Sequence, residues 1–82
     1  VDDEGILLAD GFERAFLGVV FLTVVGETVA VYDRAVCITV LVERDGMTEE
    51  EAEEFFEFNV AGAFVGDQTP LFLERQAYPG YE

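Results

Sequence analysis

Hydrophobic and polar positions alternate on two different periods along this chain, and the change of period divides it into two halves. In the first half, Ile6-Leu-Leu-Ala9 is a short apolar run closed by the turn pair Asp10-Gly11. Ala15 to Val25 is then apolar and rich in Val, Phe and Leu, a composition that predicts a strand. Gly18 within it predicts a bulge or a close backbone approach. Gly26-Glu27 predicts a tight turn, and Thr28-Val-Ala-Val-Tyr32 alternates as the second strand of a hairpin.

After Tyr32 the pattern becomes helical. Asp33 is suited to cap a helix N-terminus. Val36, Cys37, Val40 and Leu41 follow at helical spacing, although Ile38 and Val42 fill much of the other side. Five β-branched residues between Val36 and Val42 lower helix propensity and keep a strand as the alternative. The end signals favour a helix over 33–45: Arg44 stands in the last turn, where the macrodipole favours a cation, and Gly46 follows. Such a helix is apolar around most of its circumference and needs covering on two sides.

Thr48-Glu-Glu-Glu51 fits a capping box, with hydroxyl and carboxylate each serving an orphan amide. At about 100° per residue, Ala52, Phe55, Phe56, Asn59, Val60 and Ala63 share one face, and Glu50, Glu54 and Glu57 centre the other. The stripe predicts a helix running from Thr48 through Gly62 and stopping at Gly66. Asn59 falls near the centre of the core face, where its amide is expected to tie a loop backbone in place. Phe58 and Phe64 fall beside the acids, where a second element or a homodimer partner could cover them. Asp67-Gln-Thr-Pro70 predicts a turn, Leu71 to Glu74 a last short strand, and 76–82 a loose tail. The expected architecture is a single α+β domain over 1–75. A small antiparallel sheet, formed by a hairpin and a C-terminal strand, is packed by two consecutive helices.

Composition sharpens what such a domain could do. The chain has 82 residues, 18 acids against four arginines, no histidine and a formal charge of −14. With 51% hydrophobic residues it can build a core, unlike a disordered acidic tail. The charge argues against nucleic acid or an anionic membrane as partner, and for a basic protein surface. Val1-Asp-Asp-Glu4 is acidic where a secretory leader is basic, and the longest apolar run, Val36 to Val42, is far short of a membrane span, so a cytoplasmic protein is expected. Cys37 is the only cysteine and lies in an apolar run, which excludes an internal disulfide and favours a buried, inert thiol.

The candidate site is the acidic helix, with Glu50, Glu53, Glu54, Glu57 and Phe58 as partner-binding residues. Glu49/Glu53, Glu50/Glu54 and Glu53/Glu57 are like charges at i, i+4, each pair costing ~0.2–0.5 kcal/mol. Only Glu49, Glu50 and Glu51 sit where the helix dipole offsets this. An aromatic at the margin of a charged face is a common hot-spot arrangement. A solvated surface helix is the plainer reading. No catalytic residue, cofactor or metal is expected. There is no histidine for proton transfer near neutral pH, and Gly62-x-x-x-Gly66 lacks the lysine of a phosphate loop. Aligning Gly46 with the invariant glycine of a calcium loop puts Leu41 and Ala52 where carboxylate ligands belong. A loose divalent-cation site or a carboxylate enzyme is a distant third reading.

Several stretches resemble an uncharacterised family of small acidic proteins of bacteriophages and prophages. They are Asp10-Gly-Phe-Glu13 with Ala15, Phe16 and Gly18; Tyr32-Asp33 with Cys37-Ile38; Leu41 with Glu43-Arg-Asp-Gly-Met47; Glu50-Glu-Ala52 with Glu54-Phe-Phe-Glu-Phe-Asn59; Gly62-Ala63 with Gly66; and Thr69-Pro70 with Phe72. Thr39, Val40 and Val42 depart from it, standing where Glu, Ile and Met are common. The resemblance implies a phage source and no activity. Small acidic phage proteins often bind host machinery, including nucleic-acid-mimicking inhibitors of host defence, and this chain is similar to those in charge and size. The expected function is therefore non-catalytic inhibition of a host protein, with a homodimeric structural or housekeeping module as the alternative.

Overall fold

A computed structural model describes residues 6–63, 68–76 and 80. The fold is α+β. Strand β1 (Phe16–Leu22) turns back into β2 (Glu27–Asp33), which leads into helix α1 (Arg34–Asp45). Helix α2 (Glu49–Phe55) follows and continues through a π-helical turn, Phe56–Val60, and a 3₁₀ turn, Ala61–Ala63. Strand β3 (Leu71–Leu73) completes a sheet of order β1-β2-β3.

The hairpin is present, but its turn lies over 23–26 rather than at Gly26-Glu27: β1 ends at Leu22, short of Val25, and Glu27 already belongs to β2. Leu22 pairs with Glu27 across a turn closed by the Gly26 N–H, which donates to the Leu22 carbonyl at 2.7 Å. The antiparallel register shifts between Phe16 and Gly18, so Gly18 does mark a bulge. β3, however, pairs with β2 in parallel, Val31 opposite Leu71, and the sheet is mixed rather than wholly antiparallel. The cause is topological. Both helices intervene between the two strands, and a crossover of that length can bring the chain back to enter opposite Val31 and run alongside the last three residues of β2 in the same direction. Lying between two neighbours, β2 buries four consecutive residues, Val29 to Tyr32.

Local chemistry fixes both helices. The Asp33 carboxylate accepts from the Val36 N–H at 3.2 Å, and α1 ends where Gly46 adopts φ +71°, a left-handed conformation that costs other residues more. α1 turns Cys37, Ile38, Val40 and Leu41 inward and leaves Thr39 and Glu43 outside. The capping box on α2 is complete: the Glu51 N–H donates to Thr48 Oγ1 at 3.1 Å and the Thr48 N–H to Glu51 Oε1 at 3.0 Å.

The helical phase of α2 differs from expectation beyond Phe55. Ala52, Phe56 and Val60 are buried, whereas Phe55, Asn59 and Ala63 are exposed. In the π turn each residue rotates the chain by less than the α-helical step of about 100°, so Val60 stays in line with Ala52 and Phe56 while Asn59 swings out. Asn59 is therefore a surface residue, and its amide does not organise the core.

Ala9, Phe12 and Ala15 from the N-terminal segment meet Ala30 and Tyr32 of β2, the inner faces of both helices, and Phe56 and Val60. Aromatic rings link the layers. Phe16 meets Tyr32 edge-on at 5.5 Å, Tyr32 stacks on Phe72 at 5.6 Å, and Phe72 meets Phe56 edge-on at 5.0 Å. The Tyr32 hydroxyl accepts the Ala9 N–H at 2.8 Å, which satisfies a buried phenol and pins the N-terminal segment. Arg44 clamps the same segment: it donates to the Gly11 carbonyl at 2.8 Å and lies over the Phe12 ring.

Candidate functional site

The capping box starts α2 so that its acids face outward, with Phe58 of the following π turn beside them. Glu50, Glu53, Glu54, Glu57 and Phe58 are all exposed, and together with Glu51 and Arg34 they line one open depression of about 560 Å³. The structure thus brings all five expected partner-binding residues to one surface. Phe58 is 75% exposed and stands as a ridge. On its other flank lies a second depression of about 440 Å³, lined by Met47, Glu51, Glu54, Phe55, Phe58 and Asn59. Phe64, expected beside this face, lies outside the described residues.

Arg34 is the member of this site that the sequence reading missed. Its guanidinium donates to Glu57 Oε2 at 3.0 Å, lies 3.9 Å from a Glu74 carboxylate oxygen and covers the Phe56 ring at 5.5 Å from the ring centroid. Its side chain is only 20% exposed, so it braces the acidic helix against the end of β3 rather than reaching into solvent. Among the described residues the repulsion on the helix therefore has one internal remedy, at Glu57. A signal was present: Arg34 is the first residue of α1, where the macrodipole disfavours a cation. Glu49, Glu50, Glu51, Glu53 and Glu54 form no ion pair among the described residues.

Among the described residues, Arg14, Arg34 and Arg44 each form an ion pair within the chain. Arg14 pairs with Glu43 at 3.0 Å, Arg34 with Glu57, and Arg44 grips Asp45 through two bonds of 3.1 Å. The Arg44 bond holds Asp45 below the usual carboxylate range, and backbone N–H groups, with Arg44 a lesser influence, do the same for Glu13. Both carboxylates lie at the surface, so each contributes little; what they add is present above the ordinary carboxylate range and is lost as pH falls through their lowered values.

Burial pushes the Cys37 thiol up to about 11, with Asp33 adding to the effect. It is protonated near neutrality and sealed in the core, so it is a packing group and not a nucleophile. A thiol reagent at pH 8 is expected to label the native protein at least about a hundredfold more slowly than the urea-unfolded chain. Equal rates would mean that the core opens freely around α1.

Among the described residues no three acidic or thiol side chains converge to hold a metal ion, and no helix is long and apolar enough to cross a membrane. No protein-family model, curated protein or solved structure is significantly similar to this chain.

A second surface is as conspicuous as the acidic one. Helix α1 packs on β2, and β1 lies at the edge of the sheet beyond it. It exposes Phe16, Leu17, Val19, Val20 and Phe21, with Val24 and Val25 at the hairpin tip. The apolar run of 15–25 predicted the strand, but its lack of alternation also signalled that both faces of β1 would be apolar, whatever covered them.

Proposed function

We propose that this chain is a non-catalytic interaction protein of phage origin, acting in the host cytoplasm as an inhibitor of a host protein. In this reading Glu50, Glu53, Glu54 and Glu57 meet a basic surface that otherwise holds nucleic acid, as a defence protein would present, and Phe58 enters an apolar recess within it. The observation that carries the reading is the continuous acidic depression beside a 75%-exposed aromatic ridge. A surface designed only for solubility gains nothing from an aromatic that water must solvate. The Glu57–Arg34 pair holds the last carboxylate of the series in place, which reduces the ordering cost on binding.

The test is capture from a bacterial lysate by the immobilised protein, followed by affinity measurement on the captured species. Binding is expected to weaken steeply between about 0.1 and 0.5 M salt and to be displaced by double-stranded DNA. Converting Glu50, Glu53, Glu54 and Glu57 together to Gln is expected to weaken it roughly hundredfold. Capture of the same proteins by that variant at the same salt would end the charge-mimic reading. The alternative, a homodimeric structural or housekeeping module whose acids only solubilise it, draws its support from the exposed β1.

A further inference from the structure

We infer that two copies of this chain associate through the outer edge of β1, the two strands running antiparallel about a two-fold axis so that both sheets join into one.

β1 is an edge strand, paired with β2 on one side and with no described strand on the other. Its sequence Phe-Leu-Gly-Val-Val-Phe-Leu has no charge and no proline. Soluble proteins protect an edge of this kind with lysine, proline, a bulge or a covering element. Among the described residues the only such device is the bulge at Gly18, near the start of the strand, and Val19 to Leu22 continue in regular register. Both faces carry apolar side chains in water: Leu17 is 58% exposed, Val19 52%, Val20 41% and Phe21 61%. An unpaired strand edge supplies hydrogen bonds to an added strand, and side chains on both faces supply the burial.

The occupant follows from charge and area. The molecule carries −14, yet no charged residue occurs from Ala15 to Gly26. Two copies meeting at the acidic helix would set carboxylates against carboxylates, whereas at β1 they meet apolar against apolar. An antiparallel strand pair is self-complementary, so one edge serves both copies and the contact closes at a dimer. The exposed side chains of β1 and the hairpin tip set an upper limit on the order of 600 Å² of apolar surface per copy for the contact to cover, which places it below the ~800 Å² per partner of a standard interface and predicts a dimer of modest affinity. The inference rests on β1 alone and is independent of the acidic-face proposal.

Salt separates the two. Screening removes the repulsion between two strongly negative copies and leaves apolar contact intact, so the dimer tightens as salt rises, the opposite of binding through the acidic helix. Sedimentation velocity of the full chain is expected to show a dimer that strengthens with sodium chloride. Val19→Lys and Phe21→Lys are each expected to raise the dissociation constant about thirtyfold or more. Both substitutions also lower the net negative charge, which by itself would favour association. Phe21→Thr, which keeps strand propensity and removes the apolar bulk, gives the same direction if a lysine variant melts early. Gln76→Lys, exposed and remote in sequence from β1, leaves the dimer unchanged. A monomer at every salt concentration up to about 1 mM protein overturns the inference. So does a dimer indifferent to all three β1 variants, or an assembly that grows beyond two copies.

Discussion

Replacing Ala52 with glutamate is expected to cost about 3–5 kcal/mol, a large share of the stability of so small a domain. The change looks harmless in sequence, since it adds one more glutamate to a helix that already has six. In the structure Ala52 is fully buried at the contact between α2 and the core, with Cys37 and Leu41 of α1 among the buried residues of the same cluster. A carboxylate there would be desolvated, with no described cation placed to meet it; Arg34 is engaged by Glu57. A domain of this size has about 4–12 kcal/mol of stability to lose. Urea unfolding measures the loss, and pH checks its cause. The buried carboxyl would have a folded-state pKa above its unfolded value of about 4.3, so the penalty is full well above that range and fades as pH falls through it. Glu53→Ala, one residue along but on the exposed side, is expected to change stability by no more than about 0.5 kcal/mol. Equal midpoints for Ala52→Glu and the parent protein would show that α2 does not pack in this phase.

Phe56→Ala is expected to cost about 3–5 kcal/mol, by lost burial and by the cavity it leaves. Phe56 is 1% exposed and meets both the Phe72 ring and the Arg34 guanidinium. Its removal takes one ring from the chain of aromatics that joins β1, β2, β3 and the π turn, and takes the apolar floor from under Arg34. The loss is expected in thermal and urea melts alike. Phe58→Ala, by contrast, should leave stability within about 0.5 kcal/mol, because that ring is in water. If the two variants melted together, the assignment of inner and outer aromatic faces would be wrong.

These expectations show which parts of the structure were legible in the sequence. The hairpin, the Asp33 cap, the Gly46 stop and the capping box of α2 could all be read, because each depends on residues within a few positions of one another. The helical signals at the ends of α1 outweighed its β-branched interior, as they should when tertiary burial supplies most of a helix's stability. Asn59 was misplaced because a π turn shifts the helical phase, and nothing in Phe56-Glu-Phe-Asn-Val60 announces one. The direction of β3 depends on how two helices pack, which periodicity does not encode. Arg34 could be read only as a cation at the wrong end of a helix; its partners Glu57 and Glu74 are distant in sequence. The grouping of Glu50, Glu53, Glu54, Glu57 and Phe58 on one surface was legible, because it follows from the start of the helix; the arginine beside them was not. The exposed edge of β1 was not, since an apolar run marks a strand without saying how many of its sides the rest of the chain will cover.

The parallel pairing of β3 also bears on the order in which the molecule assembles. Leu22 and Glu27 meet across a short turn, so the hairpin can form as soon as its own residues have condensed. Val31 and Leu71 meet only after the intervening chain has been brought round, and that loop-closure entropy must be met before the rung returns anything. Packing of α1 against α2 ahead of that closure would shorten the search. The acidic helix, whatever it binds once folded, is thus also the brace on which the last strand of the sheet closes.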